Sequence, residues 1–285
     1  MDSELRKTCE AVLQEKITNV ETVSGGSINH ARRLQTGSGD YFLKFQQQQS
    51  LRMFEVEAKG LESIAQPNCI KTPEVLGYGG AGRYAYLLLE FLPPGPATEA
   101  FWQSFGRSLA NLHRTTERYF GLDRHNYIGS LPQSNSRHQE WIPFFKEERI
   151  APQVKLAVDQ GLLNTADLKQ FEQLYALLPD IIPQEPPALI HGDLWSGNFL
   201  SLPGDQAALI DPAVCFAHRE MDLAMSLLFG GFSPLFYEAY HETFPLEKDW
   251  QKRMELYQLY YLLVHVNLFG TSYVQSVRST LRQYI

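Results

Sequence analysis

Along the first third of the chain apolar positions fall in short runs and alternations. Beyond Pro96 they recur mostly at helical spacing. Leu5, Cys9, Val12 and Leu13 share one helical face, which predicts a short helix over Ser3–Leu13. Val20–Val23 reads as a strand, broken by Ser24-Gly25-Gly26-Ser27. His30–Thr36 and Tyr41–Phe45 read as strands paired around Gly37-Ser38-Gly39-Asp40, and the Gln46–Gln49 run as a solvated loop. Phe54, Ala58, Leu61 and Ile64 predict a helix over Met53–Ala65. Val75–Tyr78 and Tyr84–Leu89 read as strands separated by Gly79-Gly80-Ala81-Gly82. Pro93-Pro94-Gly95-Pro96 ends this pattern.

In the remainder, Thr98 is placed to cap a helix carrying Phe101, Phe105, Leu109 and Leu112 on one stripe. Thr165 is read as the cap of another, with Leu168, Phe171, Tyr175 and Leu178 inward. Ala188–Ile190, Phe199–Ser201 and Ala207–Ile210 read as short strands. From Met221 the pattern is helical, with breaks at Pro234 and Pro245. A strand-rich part joined to a helix-rich part through a Pro/Gly hinge predicts an α+β chain of two lobes, 1–92 and 93–285. A ligand is expected in the cleft between them.

Bulk properties narrow the classes. With 285 residues, 44% of them hydrophobic, the chain can bury a substantial core. A net charge of -7 argues against a general nucleic-acid surface but leaves room for a few local cations around a nucleotide. The N-terminal residues carry no apolar secretory segment, and no apolar run reaches the ~18 residues of a membrane span. Cys9, Cys69 and Cys215 are few and widely spaced, neither a disulfide framework nor a zinc pattern. A reducing cytoplasm is the expected home. Oligomeric state is not legible.

The chemistry concentrates in His191-Gly192-Asp193-Leu194-Trp195-Ser196-Gly197-Asn198 and in Ile210-Asp211-Pro212. One carboxylate, an amide five positions on and a second carboxylate after the next apolar run form the set that phosphoryl transfer from a metal-bound nucleotide needs. A hairpin through Phe199–Ser201 and Ala207–Ile210 can bring Asn198 beside Asp211, with Asp193 in the adjoining loop. Asp and Asn are also turn formers, but the joint pattern is far more specific than a polar turn. Lys44, alone in the apolar strand Tyr41–Phe45, needs a counter-charge, and nucleotide phosphates supply one.

These segments resemble the protein-kinase-like superfamily in its aminoglycoside-phosphotransferase and choline-kinase form. The finer motif Asp-Leu-Trp-Ser-Gly-Asn is similar to the fructosamine kinase (ketosamine 3-kinase) family. So are the run Asp211-Pro212-Ala213 to Met225, Phe229-Gly230-Gly231-Phe232, Tyr127-Ile128-Gly129-Ser130 with Pro132-Gln133, and Trp141 with Phe144-Phe145. The resemblance implies a bilobal kinase-like fold, with an antiparallel sheet plus helix in the small N-terminal lobe and a larger, mostly helical C-terminal lobe. It makes Asp193 the catalytic Asp and Asn198 and Asp211 the Mg2+ ligands. Lys44 becomes the contact to the α/β-phosphates of ATP. Glu57 becomes its helix partner in preference to Glu55, because Glu57-Ala58-Lys59-Gly60-Leu61 matches the family form. Gly25, Gly26 and Ser27 would present backbone N–H groups to phosphate. Some family members carry Cys in that loop, where this chain has Ser27. Glu90, Phe91 and Leu92 would form the connector that hydrogen-bonds adenine through its backbone.

Trp195 is read as an apolar wall under the acceptor sugar, and His218 as either an acceptor contact or a structural residue. Asp222 and His191 are read as braces of the catalytic loop. The expected activity is ATP-dependent phosphorylation of a ketosamine hydroxyl, the 3-hydroxyl by resemblance, on a fructosamine- or ribulosamine-type small molecule or a glycated protein lysine. The phosphate ester would then be shed with the sugar in deglycation. Two alternatives stay open: the same chemistry on an aminoglycoside, choline-like alcohol or homoserine, and a non-catalytic nucleotide-binding scaffold.

Overall fold

A computed structural model describes residues 1–23 and 30–285. The loop containing Gly25, Gly26 and Ser27 lies outside the described residues. The chain opens with α1 (Ser3–Leu13), β1 (Asn19–Thr22), β2 (His30–Gln35), β3 (Asp40–Gln47), α2 (Leu51–Ala65), β4 (Val75–Ala81) and β5 (Tyr84–Glu90). The strands form one antiparallel sheet in the order β1-β2-β3-β5-β4. Side chains alternate across it, and the period of two sorts them between the helices. Leu43, Phe45, Tyr86 and Leu88 pack with Leu5 and Cys9 of α1. Ala85, Leu87 and Leu89, with half-buried Phe42, pack with Phe54, Ala58 and Leu61 of α2. Lys44, between Leu43 and Phe45, is thereby directed to the α2 side.

Two local expectations are corrected. Gln46 and Gln47 belong to β3, because the ladder to β5 continues through Gln46↔Ala85 and Gln47↔Tyr84; only Gln48–Ser50 leaves it, as a 3-10 turn. Tertiary pairing here overrides a polar composition. Gly79 and Gly80 likewise do not break β4. They pair with Tyr86 and Ala85, and a Cβ on Gly79 would meet the Tyr86 ring at 3.4 Å. The turn is confined to Gly82-Arg83, where Gly82 has φ +59°.

The second lobe begins with α3 (Glu99–Leu112), capped by Thr98 Oγ1 accepting from Phe101 N at 3.0 Å. β6 (Asn126–Ile128) and β7 (Leu131–Gln133) form a hairpin. α4 (Trp141–Phe144) runs through a wider π-type turn, Phe145–Ile150, into α5 (Ala151–Asp159). α6 (Thr165–Ile181) is capped by Asn164 rather than Thr165. Asn164 Oδ1 accepts from Ala166 N and Asp167 N, and Asp167 accepts from Asn164 N at 2.8 Å. That reciprocal box needs a carboxylate three residues after the cap, which selects Asn164. β8 (Ala188–Ile190) pairs with β11 (Cys215–Ala217), and β9 (Phe199–Leu202) pairs with β10 (Gln206–Leu209). α7 (Glu220–Leu228), α8 (Pro234–Thr243), α9 (Trp250–Phe269) and α10 (Val274–Tyr284) complete the lobe. Phe101, Phe105, Phe144, Phe145, Leu189, Leu223, Tyr257 and Leu263 belong to one large core.

Between β5 and α3 the connector lies against the β9–β10 hairpin. Leu92 packs with Leu202 and Ala208. Gly95 N donates to Ser201 O at 2.7 Å, and a Cβ at Gly95 would lie 2.6 Å from the Leu202 carbonyl carbon. The approach excludes any side chain there. On the opposite flank Leu209 N donates to Lys71 O at 2.9 Å, and Lys71 Nζ reaches Glu90 at 2.7 Å.

Candidate active site

The site is assembled from three chain segments: β3 with α2, the loop after β8, and the turn after β10. The β9–β10 ladder runs Leu209↔Phe199, and Ile210 N donates to Asn198 O at 3.0 Å. Asn198 and Asp211 therefore flank the same end of the hairpin. Asp193 is drawn in by the Asn198 amide, whose Nδ2 donates to Asp193 O at 2.9 Å and to Asp193 Oδ2 at 3.1 Å.

Two loops carry these groups, and they touch backbone to backbone. Ala213 N donates to His191 O at 2.9 Å. Gly192 has φ +84°, and a Cβ on it would fall 2.2 Å from Ala213 O. Both facts require glycine at 192. Asp211 also has a left-handed φ, +54°, a conformation that Asp tolerates better than most residues.

Asp222 supports the loop from beneath. Fully buried, it accepts from His191 N at 2.7 Å and Gly192 N at 2.8 Å, and its Oδ2 lies 3.1 Å from His113 Nε2. The other ring nitrogen of His113 meets Tyr240 OH at 2.8 Å. His113 was missed in the sequence: it ends an amphipathic helix, and no spacing ties it to residues far downstream. His191 is the second brace. Its Nδ1 accepts from Asp193 N at 3.2 Å, so Nε2 carries the proton to Ile210 O at 2.8 Å. Burial holds its pKa below the ordinary value, consistent with a neutral ring.

Lys44 supplies the cation. Its ammonium donates to Glu57 Oε1 at 2.7 Å and to Asp211 Oδ1. Burial alone would lower its pKa, but Asp211 and Glu57 outweigh that and raise it, so Lys44 stays charged. Glu57 is pushed up by burial, with Lys44 opposing. Glu55 instead pairs with Lys59 on the outer face of α2 at 2.6 Å. Loss of water around half-buried Asp193, followed by the neighbouring Asp211 charge, pushes its pKa up to about 7; the Asn198 hydrogen bond pulls the other way. A carboxylate titrating near neutrality suits proton transfer from a hydroxyl.

Trp195 is half-buried, with its indole folded over Gly197: a Cβ at 197 would sit 2.4 Å from the ring. His218 is not brought to this group. The register Cys215↔Ile190 and Ala217↔Ala188 carries it to the end of β8 away from the Asp193 loop. There it is fully buried, stacked on Tyr257 at 5.3 Å. Glu185 and Glu220 approach it, but each is already forked by an arginine, Arg219 and Arg253 respectively. Glu90 ends β5, and its carboxylate accepts from Lys71 and from Glu74 N at 3.1 Å. The Phe91 ring lies under the Arg33 guanidinium at 4.6 Å, while Leu92 turns toward the hairpin. Cys9, Cys69 and Cys215 are free thiols. Among the described residues no helix is long and apolar enough to cross a membrane.

The family model described as fructosamine kinase matches residues 1–285. The probable ketoamine kinase of Enterococcus faecium is 38% identical over 92% of this chain and 94% of its own length. The chloroplastic protein-ribulosamine 3-kinase of Arabidopsis thaliana is 36% identical over 95% of this chain and 83% of its own. A crystal structure from Thermobifida fusca that carries the fructosamine-3-kinase name superposes with a TM-score of 0.88 at 33% identity, covering 99% of this chain and 100% of the other. Aminoglycoside phosphotransferase APH(4)-Ia superposes at 0.66 with 17% identity, covering 99% of each chain, a likeness of fold alone.

Proposed function

This chain belongs to the fructosamine kinase family, and on that premise we propose that it transfers the γ-phosphoryl group of ATP to the 3-hydroxyl of a ketosamine. The enzyme is a phosphotransferase acting on a sugar hydroxyl. The observation that carries the residue assignment is the meeting of Lys44, from the first lobe, with Asp211, beside the Asp193–Asn198 pair of the second.

In this reading Asp193 Oδ accepts the proton of the attacking hydroxyl and orients it in line with the γ-phosphate. Lys44, held by Glu57, neutralises the α/β-phosphates. The backbone of Glu90–Leu92 offers its polar edge to adenine, and the packing of Leu92 on Leu202 and Ala208 holds that connector in place. Asn198 and Asp211 fit Mg2+. The Asn198 amide nitrogen is engaged by Asp193, which leaves its carbonyl oxygen as a ligand, and the Asp211 side chain keeps 40% of its surface open. Two hard oxygens with phosphate and water completing the shell are what this ion takes. Bound there, Mg2+ would offset the charge of the β- and γ-oxygens. Trp195 forms the apolar side of the sugar pocket. The acceptors are ketosamine small molecules or ketosamines on protein lysines, with ribulosamine and fructosamine adducts first.

Purified protein with ATP and Mg2+ is screened for ADP release on fructose-, ribulose- and erythrulose-amine adducts, with the product phosphate located by NMR. Turnover of a ketosamine with phosphate on O3 is expected. Preference for an aminoglycoside or amino alcohol would overturn the acceptor class, and phosphate elsewhere on the sugar would overturn the position.

A further inference from the structure

α2 meets the second lobe around Gly60, Ile64 and the Arg124 side chain. Ile64 is buried in the large core of the second lobe. Gly60 lies against the turn after Asp211: a Cβ there would sit 3.2 Å from Pro212 Cγ and 3.5 Å from Val214 Cγ2. Arg124, in the segment before β6, donates through Nη2 to Lys59 O at 3.1 Å and Ser63 Oγ at 2.7 Å. Its Nη1 is held by Asp123 at 2.8 Å. On the outer flank of the helix a surface cavity of about 530 Å³, lined in part by Arg52, Glu55, Lys59 and His125, separates α2 from the His125 segment. Arg124 also lines this cavity and reaches across it to the helix.

Glu57 lies three residues before Gly60, so the two share a face of α2. The face that docks on Pro212 is thus the face that holds Lys44. A shift of the helix is transmitted to Glu57 and from there to the ammonium shared with Asp211. We propose that Gly60 and Arg124 are positioning residues that set the distance between α2 and the Asp211 turn, and with it the placement of Lys44 on the nucleotide. Gly60 supplies the close approach, and Arg124 ties the following turn of the helix to the second lobe. This rests on the kinase reading above.

Glycine in a helix interior is otherwise unfavourable, since alanine has the higher helix propensity. Gly60→Ala therefore separates the two roles. Steady-state kinetics, Mg·ATP affinity by calorimetry and thermal melting are measured on Gly60→Ala, Arg124→Ala and Arg124→Lys in the full chain. Gly60→Ala is expected to melt at or above the wild-type temperature while kcat/KM for ATP falls about tenfold. Arg124→Ala is expected to lose about fivefold in kcat/KM for ATP, with KM for the acceptor unchanged, and Arg124→Lys to recover only part of it. Gly60→Ala with wild-type ATP kinetics would overturn the proposal, as would parallel losses for ATP and acceptor in Arg124→Ala. A wild-type protein that binds Mg·ATP but turns over no ketosamine would sink the acceptor reading instead; the Mg·ATP affinities of the variants would still decide the spacing argument.

Discussion

Two carboxylates sit close along the path of the catalytic loop and live under opposite conditions. Asp222, beneath it, meets two backbone N–H groups and the His113 ring. Asp193, within it, has one amide donor and another carboxylate for a neighbour. The saturated group fixes shape. The undersupplied one is driven toward a neutral-range pKa and has an oxygen to offer a substrate. Asp222 is the more deeply buried of the two, yet it is Asp193 that lacks donors, and the number of donors tells the roles apart.

The largest test of this contrast is on the reacting side. Asp193→Asn is expected to lower kcat by about 10^3-fold, with Mg·ATP affinity by calorimetry little changed; a variant at full rate would remove Asp193 from the chemistry. On the bracing side, Asp222→Ala strands two interior N–H groups, at a cost of about 2–6 kcal/mol. Its melting temperature should drop by roughly 10 °C; a variant melting as wild type would mean that the brace holds nothing. Trp195→Ala should raise the ketosamine KM about tenfold, equivalent to ~1.4 kcal/mol, with the ATP KM unchanged. Equal effects on both substrates would place the indole in the scaffold.

The smallest effect comes from a saturated carboxylate far from the cleft. Asp167 accepts from Arg278 Nε at 2.8 Å and Asn164 N at 2.8 Å, and these, Arg278 first, hold its pKa below the ordinary value. A depressed folded pKa stabilises the protein above the unfolded value, and that stabilisation is lost as pH falls through the folded one. Asp167→Asn should therefore cost about 1 kcal/mol near neutrality. In urea melts the gap from wild type should close below about pH 4. A gap that persists in acid would assign the effect to packing.

Much of this was legible in the sequence because it is local. The Asp193-to-Asn198 step and the Ile-Asp-Pro after a strand fall within one hairpin, so spacing dictates proximity. Lys44 and Glu57 could be read because an isolated charge in an apolar strand and a matched helix motif point at one another. What escaped was non-local or backbone-borne. His113 reaches Asp222 across more than a hundred residues. The collision that fixes Gly192 involves a carbonyl that no side-chain pattern reports. His218 stood beside Asp211 in sequence, yet the register of β11 against β8 carries it to the other end of the ladder. The Gln46–Gln47 and Gly79–Gly80 readings failed for a related reason: strand pairing is settled by the neighbouring strand, which composition does not describe.

Gly95 is stitched to Ser201 and pressed on Leu202, so the chain is already anchored to the second lobe by that point. Any rocking of the sheet against the helical body must be absorbed between Glu90 and Gly95, where Pro93 and Pro94 each have φ locked by their rings. The rings remove two φ rotations from that stretch and leave its ψ rotations free.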